Sequence, residues 1–275
     1  MSPHSPAGSP DRKLIENTFL IHVHTRVSHH NTVLAMFHNM FLSLLALAPP
    51  GFSSSQPRSL TLGSFLSDAM VLQRAPLSAR LWGSSAPGAN ISVALDGSKI
   101  ARAAADTDGN WTLDLPAQPA GMNHRLVVSA DGSTDLTLDD VAFGDVYLCT
   151  GQSNMAFSLN QAYNASAEIA DSGRYPGLRL ATVNLTDAAT PQTAVGTMAN
   201  YTWARSGPSA FVPVGGKTET YFSAVCYLFG RELYVGLGGD VPIGLVDASW
   251  GGVKIETLMA PNALVRRLIE RAGGR

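Results

Sequence analysis

Asp145-Val-Tyr-Leu-Cys-Thr-Gly-Gln-Ser-Asn-Met155 is the stretch of sequence that decides the fold. Its apolar run over residues 146–149 predicts a short strand that is buried on both faces. Gly151 permits a tight turn after that strand, and we expect a helix to follow through residues 155–159. A buried strand that turns directly into a helix is typical of an α/β domain with a parallel sheet.

The same alternation returns further along the chain. Helical spacing of apolar residues over 221–237 predicts a long helix, which a cluster of glycines ends. Residues 241–246 predict a second buried strand, closed by the loop Asp247-Ala-Ser-Trp-Gly-Gly252, and a last helix is expected over residues 261–272. Residues 143–275 are therefore predicted to form an α/β domain with a parallel sheet.

A different pattern precedes this domain. Short stretches with β character, separated by Gly, Asp and Pro turns, are residues 79–82, 90–95, 111–115 and 124–128. This spacing predicts a small β-sandwich over residues 57–142. Asp106, Asp108 and Asn110 resemble the start of a calcium loop, but Trp111 stands where such a loop needs glycine. A hairpin turn is the better interpretation, and no metal site is expected.

Composition and charge restrict the possible functions. The chain has 275 residues, of which 45% are hydrophobic and 15% are charged, and this composition is typical of a globular protein. A net charge of −2 gives no basic field that would attract nucleic acid. The two cysteines, Cys149 and Cys226, do not form a disulfide framework, and we expect two buried thiols rather than a bridge.

The first 56 residues are interpreted as a leader. Residues 40–48 form a short apolar run that suits the central part of a signal peptide but is too short to span a bilayer. Asn-x-Ser/Thr glycosylation patterns occur at Asn90, Asn110, Asn164, Asn184 and Asn200. These features predict a glycoprotein of the secretory pathway, either secreted or lysosomal, without a stable membrane span.

The candidate chemistry lies in two loops that follow strands. Ser153 stands just after the glycine turn, where a serine can act as a nucleophile and where free backbone N–H groups can stabilise an oxyanion. Gly251 and Gly252 follow the second strand and can bring an N–H group close to a substrate oxygen. By themselves, these motifs are also compatible with a helix cap and a simple glycine turn.

Four motifs carry a resemblance to a known family. They are Met70-Val-Leu-Gln-Arg74, Phe143-Gly-Asp-Val-Tyr-Leu-Cys-Thr-Gly-Gln-Ser-Asn-Met155, Phe222-Ser-Ala-Val-Cys-Tyr-Leu-Phe-Gly-Arg231 and Pro242-Ile-Gly-Leu-Val-Asp-Ala-Ser-Trp-Gly-Gly252. Over residues 60–261 the chain resembles the sialate O-acetylesterase family, within the SGNH or GDSL-like serine hydrolases. The resemblance implies a three-layer α/β fold with a parallel sheet, and hydrolysis of O-acetyl esters on sialic acids without metal or cofactor.

The resemblance also implies roles for individual residues. Ser153 takes the position of the nucleophile, and its own N–H and that of Gly252, or alternatively Gly251, would bind the oxyanion. Gln152 and Asn154 are expected to line the same oxyanion and substrate site. Ser249 is a second hydroxyl, which we interpret as structural.

The sequence departs from the family at the catalytic base. The family takes its base from an Asp-x-x-His block that follows the Gly-Gly loop, whereas His124 is the last histidine of this chain and no histidine follows Ser153. We therefore expect an incomplete α/β domain with impaired activity. The alternatives are a non-catalytic carbohydrate-binding or regulatory fragment, and an esterase of the acetylxylan type.

Overall fold

Strands dominate the part of the chain that the structure describes. The computed structural model describes residues 59–186, 196, 202–211 and 222–259. The predicted leader, the predicted helix over residues 261–272 and the glycosylation pattern at Asn200 lie outside the described residues.

Seven strands lie between residues 59 and 130, and several of them alternate inward and outward side chains. In chain order they are β1 (Thr61–Leu62), β2 (Val71–Gln73), β3 (Ala79–Ser84), β4 (Asn90–Leu95), β5 (Ser98–Ala104), β6 (Asn110–Leu115) and β7 (Gly121–Ala130). In β6 the inward side chains Trp111, Leu113 and Leu115 are buried, while the residues between them are exposed. The four stretches predicted as strands correspond to β3, β4, β6 and β7.

These strands belong to two sheets that share a core. β1, β3 and β6 form a three-stranded antiparallel sheet, whereas β4, β5 and β7 belong to a larger sheet. Leu81 of the first sheet and Ile91 of the second are fully buried in one hydrophobic cluster. The Asp106 turn links β5 to β6, and these two strands pair in different sheets, so the predicted hairpin at this turn is wrong.

A single long strand joins both halves of the chain. The first part of β8 (Leu136–Gly151) pairs with β7, and its last seven residues pair in parallel with β11 (Ile243–Ser249). Two further strands, β9 (Leu178–Thr182) and β10 (Ala204–Arg205), complete the sheet order β10-β9-β11-β8-β7-β4-β5, with β2 pairing to β8.

The parallel arrangement of β8, β11 and β9 confirms the predicted α/β class. The predicted domain boundary between residues 142 and 143 falls inside β8. The strands on both sides of that boundary belong to one continuous sheet. A separate β-sandwich over residues 57–142 is not confirmed by this arrangement and remains a prediction.

In the described ranges, two α-helices accompany the parallel strands. They are α1 (Ala165–Asp171) and α2 (Ala224–Gly236), and α2 confirms the helix predicted over residues 221–237. Gly230 lets α2 approach β11 closely, because a Cβ atom at this position would lie 2.4 Å from the Leu245 side chain. No helix in the described ranges is long and apolar enough to cross a bilayer.

A disulfide links α2 to β8. Cys149 lies near the end of β8 and Cys226 lies in the first turn of α2, with their Cα atoms 5.8 Å apart. The expectation of two separate buried thiols is therefore wrong. The two cysteines are 77 residues apart in sequence, and only the packing of α2 over the end of β8 brings them together.

Candidate active site

The two loops predicted to carry the chemistry leave the same edge of the sheet. β8 and β11 are adjacent parallel strands, and their register places Ser249 beside Gly151. Immediately beyond this pair, the Trp250 N–H donates to the Gly151 carbonyl at 2.9 Å. The carboxyl ends of neighbouring parallel strands thus bring the loop of Ser153 next to the loop of the two glycines, as expected for open α/β sheets.

The segment that follows Ser153 is a turn and not a helix. The Gln152 carbonyl accepts hydrogen bonds from the N–H groups of Met155 at 2.8 Å and Ala156 at 2.9 Å, and the backbone then leaves the helical path. Residues 157–159 instead bond to the residues that lead into α2, through Ala224 N to Phe157 O at 2.8 Å and a second bond at Leu159. These tertiary bonds replace the helix predicted through residues 155–159.

Ser153 stands on an exposed turn at the edge of an open depression. The depression has a volume of about 540 Å³ and is lined by Gln152, Ser153, Asn154, Met155 and Val225. The N–H groups of Ser153 and Asn154 make no hydrogen bond to any described residue, so both can serve a ligand. The structure therefore brings together Ser153, Gln152 and Asn154, three of the five residues predicted for the site.

Gly251 and Gly252 lie in the neighbouring loop and do not line this depression. Both are exposed, and a Cβ atom at either position would meet no atom within 4 Å. Gly252 has a φ of +80°, which favours glycine over any other residue. The geometry places these glycines beside the Ser153 loop, and their role as oxyanion donors remains a prediction.

Asp247 is a residue of this region that the sequence analysis did not single out. Its side chain is buried in β11, where the residue is 2% exposed. Oδ1 accepts hydrogen bonds from the Ser249 N–H at 2.9 Å and the Ser249 hydroxyl at 2.6 Å, and Oδ2 accepts from the Ser223 N–H at 2.8 Å. Burial raises the pKa of Asp247, and these hydrogen bonds oppose the rise only in part.

The signal for Asp247 is present in the sequence. A single acidic residue ends the apolar run Ile243-Gly-Leu-Val246, immediately before the second loop. A charged side chain at such a position is rarely buried unless it has partners. The Ser249 hydroxyl is one of these partners, and this hydrogen bond agrees with the structural role expected for Ser249.

Ser223 connects the second loop with the first. Its N–H is bound by Asp247, and its hydroxyl accepts the Cys226 N–H at 3.1 Å as the N-cap of α2. The same hydroxyl contacts the Met155 sulfur at 3.5 Å, and Met155 lines the depression beside Ser153. The start of α2 is therefore in contact with both loops of the site.

His124 cannot serve Ser153 as a base. Its Nδ1 lies 2.8 Å from Oδ2 of Asp96, and its position on β7 is paired with Val141 of β8. Ten residues of strand separate Val141 from Gly151, which at the rise of an extended chain corresponds to about 33 Å. His124 is the one histidine in the described ranges, so the described part of the site contains the nucleophile position without a base.

No metal centre is visible in the part of the chain that the structure describes. Within residues 59–186, 196, 202–211 and 222–259, no three His, Cys, Asp or Glu side chains cluster as metal ligands. The polar groups that line the depression are a serine hydroxyl, two side-chain amides and free backbone N–H groups. With a base to accept the serine proton, such a set can bind and attack a neutral ester carbonyl.

Comparison with known proteins gives relatives of one kind. A curated sialate O-acetylesterase of Mus musculus is 38% identical over 201 residues, covering 70% of this chain and 36% of the relative. The sialate O-acetylesterase of Homo sapiens is 33% identical over 210 residues, covering 73% of this chain and 39% of the relative. The chain thus spans less than half the length of the curated relatives it matches, and no family model matches it.

A solved structure agrees with these relatives. The crystal structure of a carbohydrate acetylesterase from Xanthomonas citri superimposes with a TM-score of 0.64 at 36% sequence identity. The superposition covers 74% of this chain and 44% of that protein. The likeness therefore extends over most of the chain.

Proposed function

Because the chain belongs to the sialate O-acetylesterase family, we propose that it carries the nucleophile side of a site that removes O-acetyl groups from sialic acids or related carbohydrates. The observation that carries this proposal is the position of Ser153. It stands exposed after a parallel strand, at the rim of a depression and beside the glycine loop of the neighbouring strand.

The proposed chemistry is acyl transfer through a covalent intermediate. The Ser153 Oγ attacks the acetyl carbonyl carbon, and the carbonyl oxygen becomes an oxyanion that the N–H groups of Ser153 and Gly252, or alternatively Gly251, stabilise. The bond to the sugar oxygen then breaks, and the sugar leaves as an alcohol with the proton that the serine has lost. Water hydrolyses the acetyl-serine to acetate and restores Ser153.

This sequence of steps needs a base to accept the serine proton. Losing one member of a catalytic triad leaves a residual acceleration of roughly 10³- to 10⁴-fold over water, which binding and the oxyanion donors supply. Since the described part of the chain places no histidine near Ser153, we propose that the esterase activity of this chain is impaired. The same observation favours the second candidate function, a non-catalytic carbohydrate-binding or regulatory fragment.

The identity of the sugar that carries the acetyl group is the least constrained part of the proposed function. In the proposed chemistry Ser153 and the oxyanion donors act on the acetyl group, which every O-acetylated sugar shares. Sialic acid is preferred because the curated relatives bear that name, and an acetylated xylan is the alternative because the solved neighbour is named only a carbohydrate acetylesterase.

We also propose that the protein is a glycoprotein of the secretory pathway, secreted or lysosomal. The Cys149–Cys226 disulfide supports this proposal, because disulfides persist mainly in oxidising compartments. Further support comes from four exposed asparagines within glycosylation patterns, at Asn90, Asn110, Asn164 and Asn184. The apolar run over residues 40–48 is the proposed signal segment.

The proposed function is tested by supplying the base from solution. Imidazole can reach Ser153 because the depression is open, so we expect imidazole to increase the hydrolysis of an aryl acetate by the wild-type chain. Ser153→Ala is the matched control, since it loses the nucleophile and leaves the background reaction of imidazole itself. The measured quantity is the difference in rate between the two proteins as the imidazole concentration rises.

The outcomes separate the candidate functions. A difference that grows with imidazole supports Ser153 as a nucleophile, and equal rates for both proteins would overturn that role. Binding of O-acetylated sialic acid without any Ser153-dependent release of acetate would favour the binding fragment. Faster release from acetylated xylo-oligosaccharides than from O-acetylated sialic acid would favour the acetylxylan type.

A further inference from the structure

Asp247 occupies a position where a charge is unfavourable. It lies on β11 between Cys149 of β8 and Thr182 of β9, and its residue is 2% exposed. Burying a carboxylate away from water is unfavourable unless hydrogen bonds replace the lost hydration. An acidic side chain at such a position is best explained by a role that an apolar side chain could not fill.

The hydrogen bonds of the carboxylate show what that reason is. One oxygen binds both the N–H and the hydroxyl of Ser249, at the start of the glycine loop. The other oxygen binds the N–H of Ser223, at the start of α2. Only a carboxylate offers two acceptor oxygens in this space, because the amide of an asparagine has one acceptor oxygen and one NH₂ donor.

Both groups that Asp247 holds are connected to the Ser153 site. Ser249 precedes Trp250, whose N–H binds the Gly151 carbonyl at 2.9 Å, two residues before Ser153. Ser223 contacts Met155 through its hydroxyl and is followed two residues later by Val225, and both Met155 and Val225 line the depression. One carboxylate therefore lies between the glycine loop and the wall of the depression.

We propose that Asp247 is a positioning residue of the esterase site, which fixes the glycine loop and the start of α2 in one geometry relative to Ser153. Asp247 does not touch the substrate; it acts through Ser249 and Ser223. The inference rests on the proposed function for its chemical meaning, while the positioning itself is a property of the folded chain.

The positioning is measured by hydrogen exchange of the full chain, which requires no turnover. Asp247→Asn keeps the size of the side chain and removes one acceptor, so either the Ser249 donors or the Ser223 N–H meets an NH₂ group. Loss of a hydrogen bond to a charged group should accelerate exchange by roughly 10-fold to 100-fold. We expect this acceleration in peptides covering residues 247–254 or 222–227, and no change in β4 and β6.

Two further variants make the result decisive. Asp240→Asn removes an exposed carboxyl just before β11 and should leave exchange in all of these peptides unchanged. Ser249→Ala removes only the hydroxyl bond and should accelerate exchange in residues 247–254 alone, so it gives an answer even if Asp247→Asn fails to fold. Unchanged exchange in Ser249→Ala and in folded Asp247→Asn would overturn the proposal, as would acceleration spread evenly over every strand.

The catalytic consequence is measured separately, with imidazole as the base. If the wild-type chain shows Ser153-dependent hydrolysis, Asp247→Asn should lower kcat at least 10-fold while KM changes less than 2-fold, because misplaced oxyanion donors mainly affect the transition state. A fall in kcat accompanied by a rise in KM of the same factor would contradict the positioning role of Asp247. If the wild type shows no Ser153-dependent hydrolysis, the proposed function fails, and hydrogen exchange still decides whether Asp247 holds the two segments.

Discussion

Asp247 illustrates how one buried side chain can influence both the stability and the site of this protein. Burial raises its pKa, and the three hydrogen bonds that it accepts from Ser249 and Ser223 do not cancel this effect. The folded chain therefore binds the Asp247 proton more tightly than the unfolded chain does. Ionisation of Asp247 therefore reduces the stability of the fold.

The pH dependence of stability follows with a definite sign. A raised pKa in the folded state gives a stabilising contribution that is present below the pKa of the unfolded chain, about 4, and is lost as the pH rises through the folded value. Asp247→Asn cannot ionise, so the stability of the wild type relative to this variant should fall as the pH rises from 4 to 7. Urea unfolding of both proteins at several pH values measures the difference, and a difference that is constant with pH would contradict the prediction.

The sequence predicted three neighbouring residues of the site but missed Asp247, and the difference has a physical reason. Ser153, Gln152 and Asn154 are adjacent in sequence, so one motif places all three at one turn. Asp247 is visible in the sequence as a single acidic residue at the end of an apolar run, but one of its partners, Ser223, is 24 residues away. That contact across the fold leaves no local pattern, so the link between the two segments could not be predicted.

Among the elements, the segment after Ser153 shows where local prediction fails. A helix was expected there because a strand and a glycine turn precede it, yet the chain makes one turn and then bonds to the start of α2. Intrinsic helix propensity is weak, and a few tertiary hydrogen bonds are sufficient to override it. Strands such as β4 and β6 were predicted well because their alternation matches the two faces of a half-buried sheet.

The disulfide between β8 and α2 should stabilise the fold substantially. It closes a loop between residues 77 positions apart, for which the chain-entropy estimate gives about 4.5 kcal/mol. Replacing both Cys149 and Cys226 by alanine should therefore lower the free energy of unfolding by about 4.5 kcal/mol. Urea unfolding under non-reducing conditions measures this loss.

The matched control for this prediction is the reduced wild-type protein. It should unfold at nearly the same urea concentration as the double variant, because both lack the covalent link. An oxidised wild type that unfolds at the same concentration as the double variant would show that the bridge does not form or does not contribute.

Considered as a whole, the described part of the molecule has two hydrophobic clusters, and the larger one crosses the predicted domain boundary. Val246 of β11 and Trp203 belong to the same hydrophobic cluster as Leu81 of β3. Trp203 also packs edge-to-face on Phe65, at 5.5 Å between ring centroids, and donates to its carbonyl at 3.1 Å. The sequence suggested two domains because strand-rich and mixed patterns follow each other, but it could not show that both halves share β8.

We therefore expect residues on both sides of the predicted boundary to unfold in one cooperative transition. Small units that share a core usually unfold in this all-or-none manner. Thermal unfolding followed by far-UV circular dichroism and by tryptophan fluorescence should give the same midpoint, and the calorimetric and van't Hoff enthalpies should agree. Two separate transitions would instead support an independent domain over residues 57–142.

The link between Cys149 and Cys226 also sets an order of events during synthesis. A ribosome adds 5–20 residues per second, so the second cysteine is made roughly 4 to 15 seconds after the first. During that interval most of the strand segments have been made, while Cys149 is still a free thiol next to the nucleophile turn. A cell that makes this protein must keep the Cys149 thiol from pairing with another chain until Cys226 of α2 has been made and can pair with it.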